Sequence, residues 1–219
     1  MNTLEFNIPR TKEIVTMAET GTLHDAFIEE LRDAYDGERQ LTKALTKLAK
    51  TARSPELRDA FQSHLEETQG QIDRLEQVFE TLEEKVRGKH CEGIAGIIEE
   101  GKSIMEEDFD DDTMDACLIA AGQRAEHYEM GAYGTLVAWA RAMGHTEVAD
   151  LLQETLDEEK AADEKLSSLA EGGINQRAAE AVNSEESDED EDEGEGEDEN
   201  AVGAGAAKRG ASKGRTIRR

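Results

Sequence analysis

Long stretches of this chain repeat apolar residues every three or four positions, and short polar breaks separate them. The first stretch carries Phe27, Leu31, Ala34, Leu41, Leu45 and Leu48; the second Leu57, Phe61, Ile72, Leu75 and Phe79. The third has Ile119, Gly122, Tyr133, Val137 and Ala140, and the fourth Val148, Leu152, Ala162, Leu166 and Leu169. Such spacing puts each set on one face of a helix. It predicts four amphipathic helices, over about 22–49, 54–82, 113–143 and 146–170. Start and stop signals agree. Thr22 is a candidate N-cap, and Ser54-Pro55-Glu56 offers a cap, a first-turn proline and an acid at the positive helix end. Gly144 and Gly172-Gly173 mark the ends of the third and fourth helices.

The lengths of the breaks set the topology. A few residues separate helices one and two, and likewise three and four, so each pair predicts an antiparallel hairpin. About thirty residues lie between helices two and three. Within them, "CEGIAGIIEEGKSIMEE" places Ile94, Ile97, Ile98 and Met105 at helical spacing, which predicts a short extra helix inside a long crossover. Two hairpins joined by one long crossover describe an all-α, ferritin-like four-helix bundle. The expected organisation is an N-terminal arm (1–21), the bundle (22–172) and a disordered tail (173–219). The tail is first acidic, "SEESDEDEDEGEGEDEN", then basic, "AVGAGAAKRGASKGRTIRR". Neither part has the apolar area to offset chain entropy.

Composition supports helices, with two prolines, few aromatics and abundant Leu, Ala, Glu and Lys. Charge changes the picture more. The net charge is −27, and residues 1–183 alone hold 40 acids against 19 Lys and Arg, a balance of −21. Such a surface repels nucleic acid and anionic membranes, leaving the basic end of the tail as the one place for nucleic-acid contact. In ordinary salt it also strains the fold by self-repulsion, whereas at molar salt screening acts within ~3 Å. The expected setting is a halophilic cytoplasm. The opening "MNTLEFNIPRTKEIVTMAE" has no apolar h-region and no segment reaches ~18 apolar residues, so a soluble, cytoplasmic protein is expected. Cys91 and Cys117 do not make a disulfide framework. Cys117, in "DACLIAAG", reads as a small core residue; Cys91, beside His90 in "GKHCEG", is a weak hint of metal.

Candidate chemistry lies where the apolar stripes are broken. Glu38 interrupts the first. On the second, His64 occupies the stripe and Glu67 its neighbouring edge. Glu126 and Glu129 break the third, and Glu159 the fourth, with Asp163 four residues on. Acids make up about a fifth of residues 1–183, so one acid at a stripe edge would mean little. However, these acids all fall near the middles of their helices, close to residues 36, 68, 128 and 158. At ~1.5 Å rise per residue they share one level whichever way each helix runs. Carboxylates converging in a dry core require shared protons or bound cations. Two divalent metal ions fit best, iron first and manganese second, because oxygen donors outnumber nitrogen and no thiolate is near.

The stretches "YDGERQL", "HLEETQGQIDRLEQVFE", "AGQRAEHYEMGAYGTL" and "LLQETLDEEKAADEKL" resemble the YciE/YciF type of ferritin-like stress proteins, in order, over about residues 22–170. The resemblance implies a rubrerythrin-like bundle with a dinuclear metal centre and a homodimer. By matching motif it implies Glu38, Glu67, Glu126, Glu129 and Glu159 as ligands. Ferritins and rubrerythrins carry Glu-x-x-His on two helices. Here the order is His64-x-x-Glu67 and Glu159-x-x-x-Asp163, which makes His64 and Asp163 the candidates for the remaining ligands. His127 points ~100° away from Glu126 and belongs outside the ligands, while Tyr133, four after Glu129, is placed to hydrogen-bond a ligand carboxylate. The expected function is a metal-dependent stress protein reacting with peroxide or dioxygen. The alternative is a non-enzymatic helical stress or structural protein with a structural metal or none. With no Cys-x-x-Cys there is no electron-transfer module, and a storage cage is disfavoured by the like-charged surface.

Overall fold

Capping residues fix where each helix begins. In the computed structural model, which describes residues 21–180, the helices are α1 (Leu23–Thr51), α2 (Pro55–Thr81), α3 (Glu92–Met105), α4 (Asp111–Met143) and α5 (Thr146–Leu169), with no strand among the described residues. Thr22 and Asp25 form a reciprocal capping box, and the Ser54 hydroxyl accepts from the Leu57 amide at 3.3 Å. Helix α4 starts two residues earlier than its periodicity predicts. Asp110 takes the cap, accepting from the Asp112 and Thr113 amides at 3.0 Å each. Gly144 ends the same helix with φ of 82°, a left-handed conformation that favours glycine. The expected arm falls in residues 1–20 and most of the expected tail in 181–219, outside the described residues.

Two apolar clusters show how the helices run. One joins the first half of α1 (Phe27, Leu31) to the second half of α2 (Leu75, Phe79), the second half of α4 (Leu136, Ala140) and the first half of α5 (Val148, Leu152). The other joins the opposite halves through Leu45, Leu48, Phe61, Leu118 and Leu166. Helices α1 and α5 therefore run one way, and α2 and α4 the other. Both hairpins are antiparallel as expected, and the crossover must travel the length of the bundle. Helix α3, within the crossover, lies against α1 and α4. Between the two clusters is a central layer in which the acids sit.

Several local features depart from the sequence reading. Gly172-Gly173 does not end the ordered chain. Ala170–Ile174 forms a wide π-type turn, Gly173 adopts φ of 132°, and residues 175–180 are helical again. Ile174 explains the continuation: it is buried in the second apolar cluster, and Arg177 follows it to pair with Asp112 at 2.8 Å. Cys91 caps α3, its sulfur accepting from the Ile94 amide at 3.5 Å, and its own amide donates to Asp36 at 3.0 Å. Its role there is packing, with no metal-ligand cluster around it among the described residues. Cys117 is half-buried rather than in the core. Asp115 is a buried acid with a structural role. It accepts from the Arg53 and Ser54 amides at 2.8 and 2.6 Å and thereby ties the α1–α2 turn to α4. No described helix is long and apolar enough to cross a membrane.

Candidate metal centre

Each helix of the bundle brings its mid-helix polar residue to the same layer. His64 from α2, Glu126 and Glu129 from α4, and Glu159 from α5 each offer one ligand atom, and these atoms all lie within 4.8 Å of one another. All four residues are at most 6% exposed, and Glu38 from α1 is 1% exposed. This cluster could hold a metal ion.

Orphaned acceptors are the direct observation. Glu38 Oε2, Glu126 Oε2 and Glu159 Oε2 are buried side-chain oxygens with no hydrogen-bond donor among the described residues. A buried carboxylate oxygen without a partner costs free energy that a cation or a proton must offset. The other oxygens of two of these groups are held: Tyr133 donates to Glu38 Oε1, and Gln71 Nε2 to Glu159 Oε1. On each, one oxygen is anchored and the other is left without a donor.

His64 completes the arrangement. Its Nδ1 lies 3.2 Å from Glu67 Oε2, while Nε2 faces Glu126 Oε2 at 3.4 Å and Glu159 Oε2 at 3.6 Å. In the tautomer that donates from Nδ1 to Glu67, a lone pair on Nε2 points at two carboxylate oxygens. A cation between them, a proton on Nε2, or a proton on one of the carboxyls removes that repulsion. A carboxylate behind a histidine is the usual device for orienting a metal-binding imidazole.

The electrostatics agree. Burial, and then the charge of Glu159, push the Glu38 carboxyl up to about 8. Burial pushes Glu126 up to about 7, with Glu38 adding to it. Glu129 is raised well above the ordinary carboxylate range by burial and by Glu38, Glu159 and Glu126. Burial raises Glu159 likewise, although the nearby His64 works against it. The His64 imidazole is raised: burial opposes its charge, but the Glu67 hydrogen bond and the surrounding acids outweigh that. Four neighbouring acids that hold protons above their ordinary range, beside an imidazole drawn toward its charged form, make a site short of positive charge.

Of the residues expected from sequence, the structure brings together Glu38, His64, Glu126, Glu129 and Glu159, with Tyr133 bonded to Glu38. It does not bring in the other three. Glu67 is at the half-exposed edge on His64 Nδ1. Asp163 is one turn beyond Glu159 and contacts Gln123 at 3.1 Å and His127 at 3.3 Å. His127 is exposed and touches no acid of the cluster. Gln71 went unread in the sequence. It is fully buried, bridges Glu158 and Glu159, and follows His64 by seven residues, a two-turn spacing that marks the same face. Beside it, Arg74 pairs with Glu158 at 2.7 Å and donates to Thr155, closing the α2–α5 contact outside the site.

Comparison with known proteins places the chain in a family. Residues 22–179 match a domain of unknown function, DUF892. YciF from Escherichia coli K12 is 46% identical over 158 residues, covering 72% of this chain and 95% of that protein. The crystal structure of the E. coli stress protein YciF superposes with a TM-score of 0.69 at 45% identity, over 71% of this chain and 99% of that one. YcfI, a proposed structural protein from Rhodopseudomonas palustris, gives 0.67 at 43% identity over 69% of this chain and 97% of its own. A Xanthomonas campestris protein at 23% identity, TM-score 0.60, shares the fold.

Proposed function

The chain belongs to the DUF892 family of YciF-like helical stress proteins, and from that premise we propose that its bundle holds a dinuclear iron or manganese centre that reacts with peroxide or dioxygen. The carrying observation is the pair of orphaned carboxylate oxygens on α4 and α5, Glu126 Oε2 and Glu159 Oε2, 3.4 and 3.6 Å from His64 Nε2, with a third orphaned oxygen on the buried Glu38 of α1. Four buried carboxylates carry about four negative charges when ionised, which two divalent cations neutralise. Oxygen donors with a single imidazole suit iron and manganese better than zinc. Bound there, a pair of such ions would supply one electron each for the reduction of an oxidant.

The chain's own residues have separate tasks. Glu38, His64, Glu126, Glu129 and Glu159 hold the ions. Glu67 turns the His64 ring, Tyr133 fixes one oxygen of Glu38, and Gln71 fixes one oxygen of Glu159. Apolar layers flank the cluster above and below. Asp163 lies outside this set.

Mixing anaerobically Fe(II)-loaded protein with hydrogen peroxide tests the reading. Bound iron should oxidise faster than the same concentration of free Fe(II), and Glu159→Gln should abolish the difference. Oxidation no faster than in free solution would favour the second reading, a structural stress protein, for which the resemblance to YcfI speaks.

The acidity fits a cytoplasm of molar salt. The balance of −21 over residues 1–183 must be screened, so the melting temperature should rise between ~0.1 M and ~2 M KCl, as the Debye length falls from ~10 Å to below ~3 Å. Thermal unfolding followed by circular dichroism at both salts checks this; an unchanged midpoint would contradict it.

A further inference from the structure

Small side chains on one face of α4 leave room beside the acid cluster. Ala121 and Ala125 face α1 and α3, and between the three helices is a cavity of about 290 Å³. Its walls are apolar, built by Leu45 and Leu48 of α1 and Ile97, Ile98 and Met105 of α3. At the inner end are His64, Glu126 and Glu129, and Lys43, Lys47 and Lys102 line its outer part. In a chain of net charge −27, three lysines around one opening depart from the surface average. Lys102 is engaged by Glu99 at 2.6 Å, and Lys47 also feels that carboxylate, but neither Lys43 nor Lys47 has a carboxylate within ion-pair distance among the described residues. A second opening, between α2 and α5, reaches the same His64 and Glu126 but is lined by Glu56, Asp59 and Glu67 against Lys165. The two openings differ in sign, and the lysine-lined one is open to an anion.

We propose that the α1/α3/α4 cavity binds a free fatty acid of medium chain length, carboxylate at Lys43 and Lys47 and tail inward. The acids at the inner end repel an anionic head, so the head stays at the lysines and the tail enters the apolar walls. An apolar cavity of ~150 Å³ holds one six-carbon ring, so 290 Å³ holds a tail on the order of ten carbons. Its methyl end then lies beside Glu126 and Glu129. Binding itself needs only the cavity. That the tail is the group presented to a metal centre rests on the proposed function.

Titration of metal-free, full-length protein with decanoate, followed by calorimetry and by NMR of ¹³C-methyl decanoate, tests the proposal. One site per chain is expected, weakening about fourfold for each methylene removed toward hexanoate. Decyltrimethylammonium, with the same tail and the opposite head, should bind at least tenfold more weakly. Ala44→Leu extends a side chain into the cavity from a half-exposed helical position and should weaken decanoate at least tenfold. Gly101→Leu does the same from α3, where a Cβ meets only Ala121 at an ordinary 3.7 Å. The Lys43→Gln/Lys47→Gln pair should lower the affinity and remove its salt dependence. No saturable binding at millimolar decanoate, equal binding of the cationic analogue, or indifference to both cavity-filling variants would overturn the proposal. Because the protein is metal-free, failure to load metal leaves this result standing, and absence of decanoate binding leaves the metal reading standing.

Discussion

Glu129→Gln should leave the metal-free protein more stable than the parent and unable to hold its metal. Glu129 is buried among Glu38, Glu126 and Glu159, and no hydrogen bond to its carboxyl relieves it among the described residues. Near neutral pH the folded chain must either keep a proton there or bury a charge beside other acids, and both cost free energy that the unfolded chain does not bear. The neutral amide removes that cost, for a gain on the order of 1–3 kcal/mol, or several degrees in melting temperature for a domain of this size. The same change removes a charged oxygen donor, so affinity for a hard divalent cation collapses. Two other outcomes are diagnostic. A silent substitution in both assays would mean a solvated acid, and loss of metal-free stability would mean that Glu129 was paired with a cation.

The pH dependence of the metal-free protein should run opposite to ordinary acid denaturation between about pH 5 and 8. Glu126, raised to about 7, and Glu38, raised to about 8, keep protons in the folded state that the unfolded chain has already released. Where the folded state binds more protons, stability falls as pH rises, by about 1.4 kcal/mol per pH unit for each extra proton. Glu129 and Glu159, raised well above the ordinary range, act in the same direction. His64, also raised, contributes stability that is full below its unfolded pKa and is lost as pH rises through the folded one. The carboxyls held low, such as Asp36 by the Cys91 amide and the Gln40 side chain despite partial burial, act the other way. Their stabilisation is lost only as pH falls below the ordinary carboxylate range of about 4. The window above pH 5 therefore belongs to the cluster. Thermal melts across it should show a falling midpoint without metal. With metal bound the slope should reverse, since protons compete with the cation for the same oxygens. A metal-free midpoint that rises from pH 5 to 8 would contradict this.

Much of this was legible in the chain because helices advertise themselves by period. The stripes through Leu31, Phe61, Val137 and Leu152 gave faces, and Glu38, His64, Glu126, Glu129 and Glu159 stood out as polar residues on those faces at one level. Periodicity ranks residues by direction but does not separate neighbours one turn apart. Asp163, about 40° and one turn beyond Glu159, and Glu67, three after His64, are equivalent to Glu159 and His64 by spacing, and only the packing of the helices gives them their greater exposure. Gln71 was hidden for the converse reason: an amide on a stripe carries no charge anomaly. Ile174 was lost behind two glycines, whose usual meaning is a helix end, although here Gly173 turns the chain so that Ile174 returns to the core. The lysine-lined cavity was invisible in one dimension, since its walls come from three helices and its space from what Ala121 and Ala125 lack.

Counting the metal is the most direct test of the central claim that four carboxylates and an imidazole converge to hold cations. Full-length protein loaded anaerobically with Fe(II) or Mn(II), freed of excess metal and analysed by mass spectrometry should carry about two ions per chain, the number that balances four buried carboxylates. Fewer than about 0.2 ions per chain after the same loading would contradict it, because a folded cluster of orphaned oxygens would then be satisfied by protons alone.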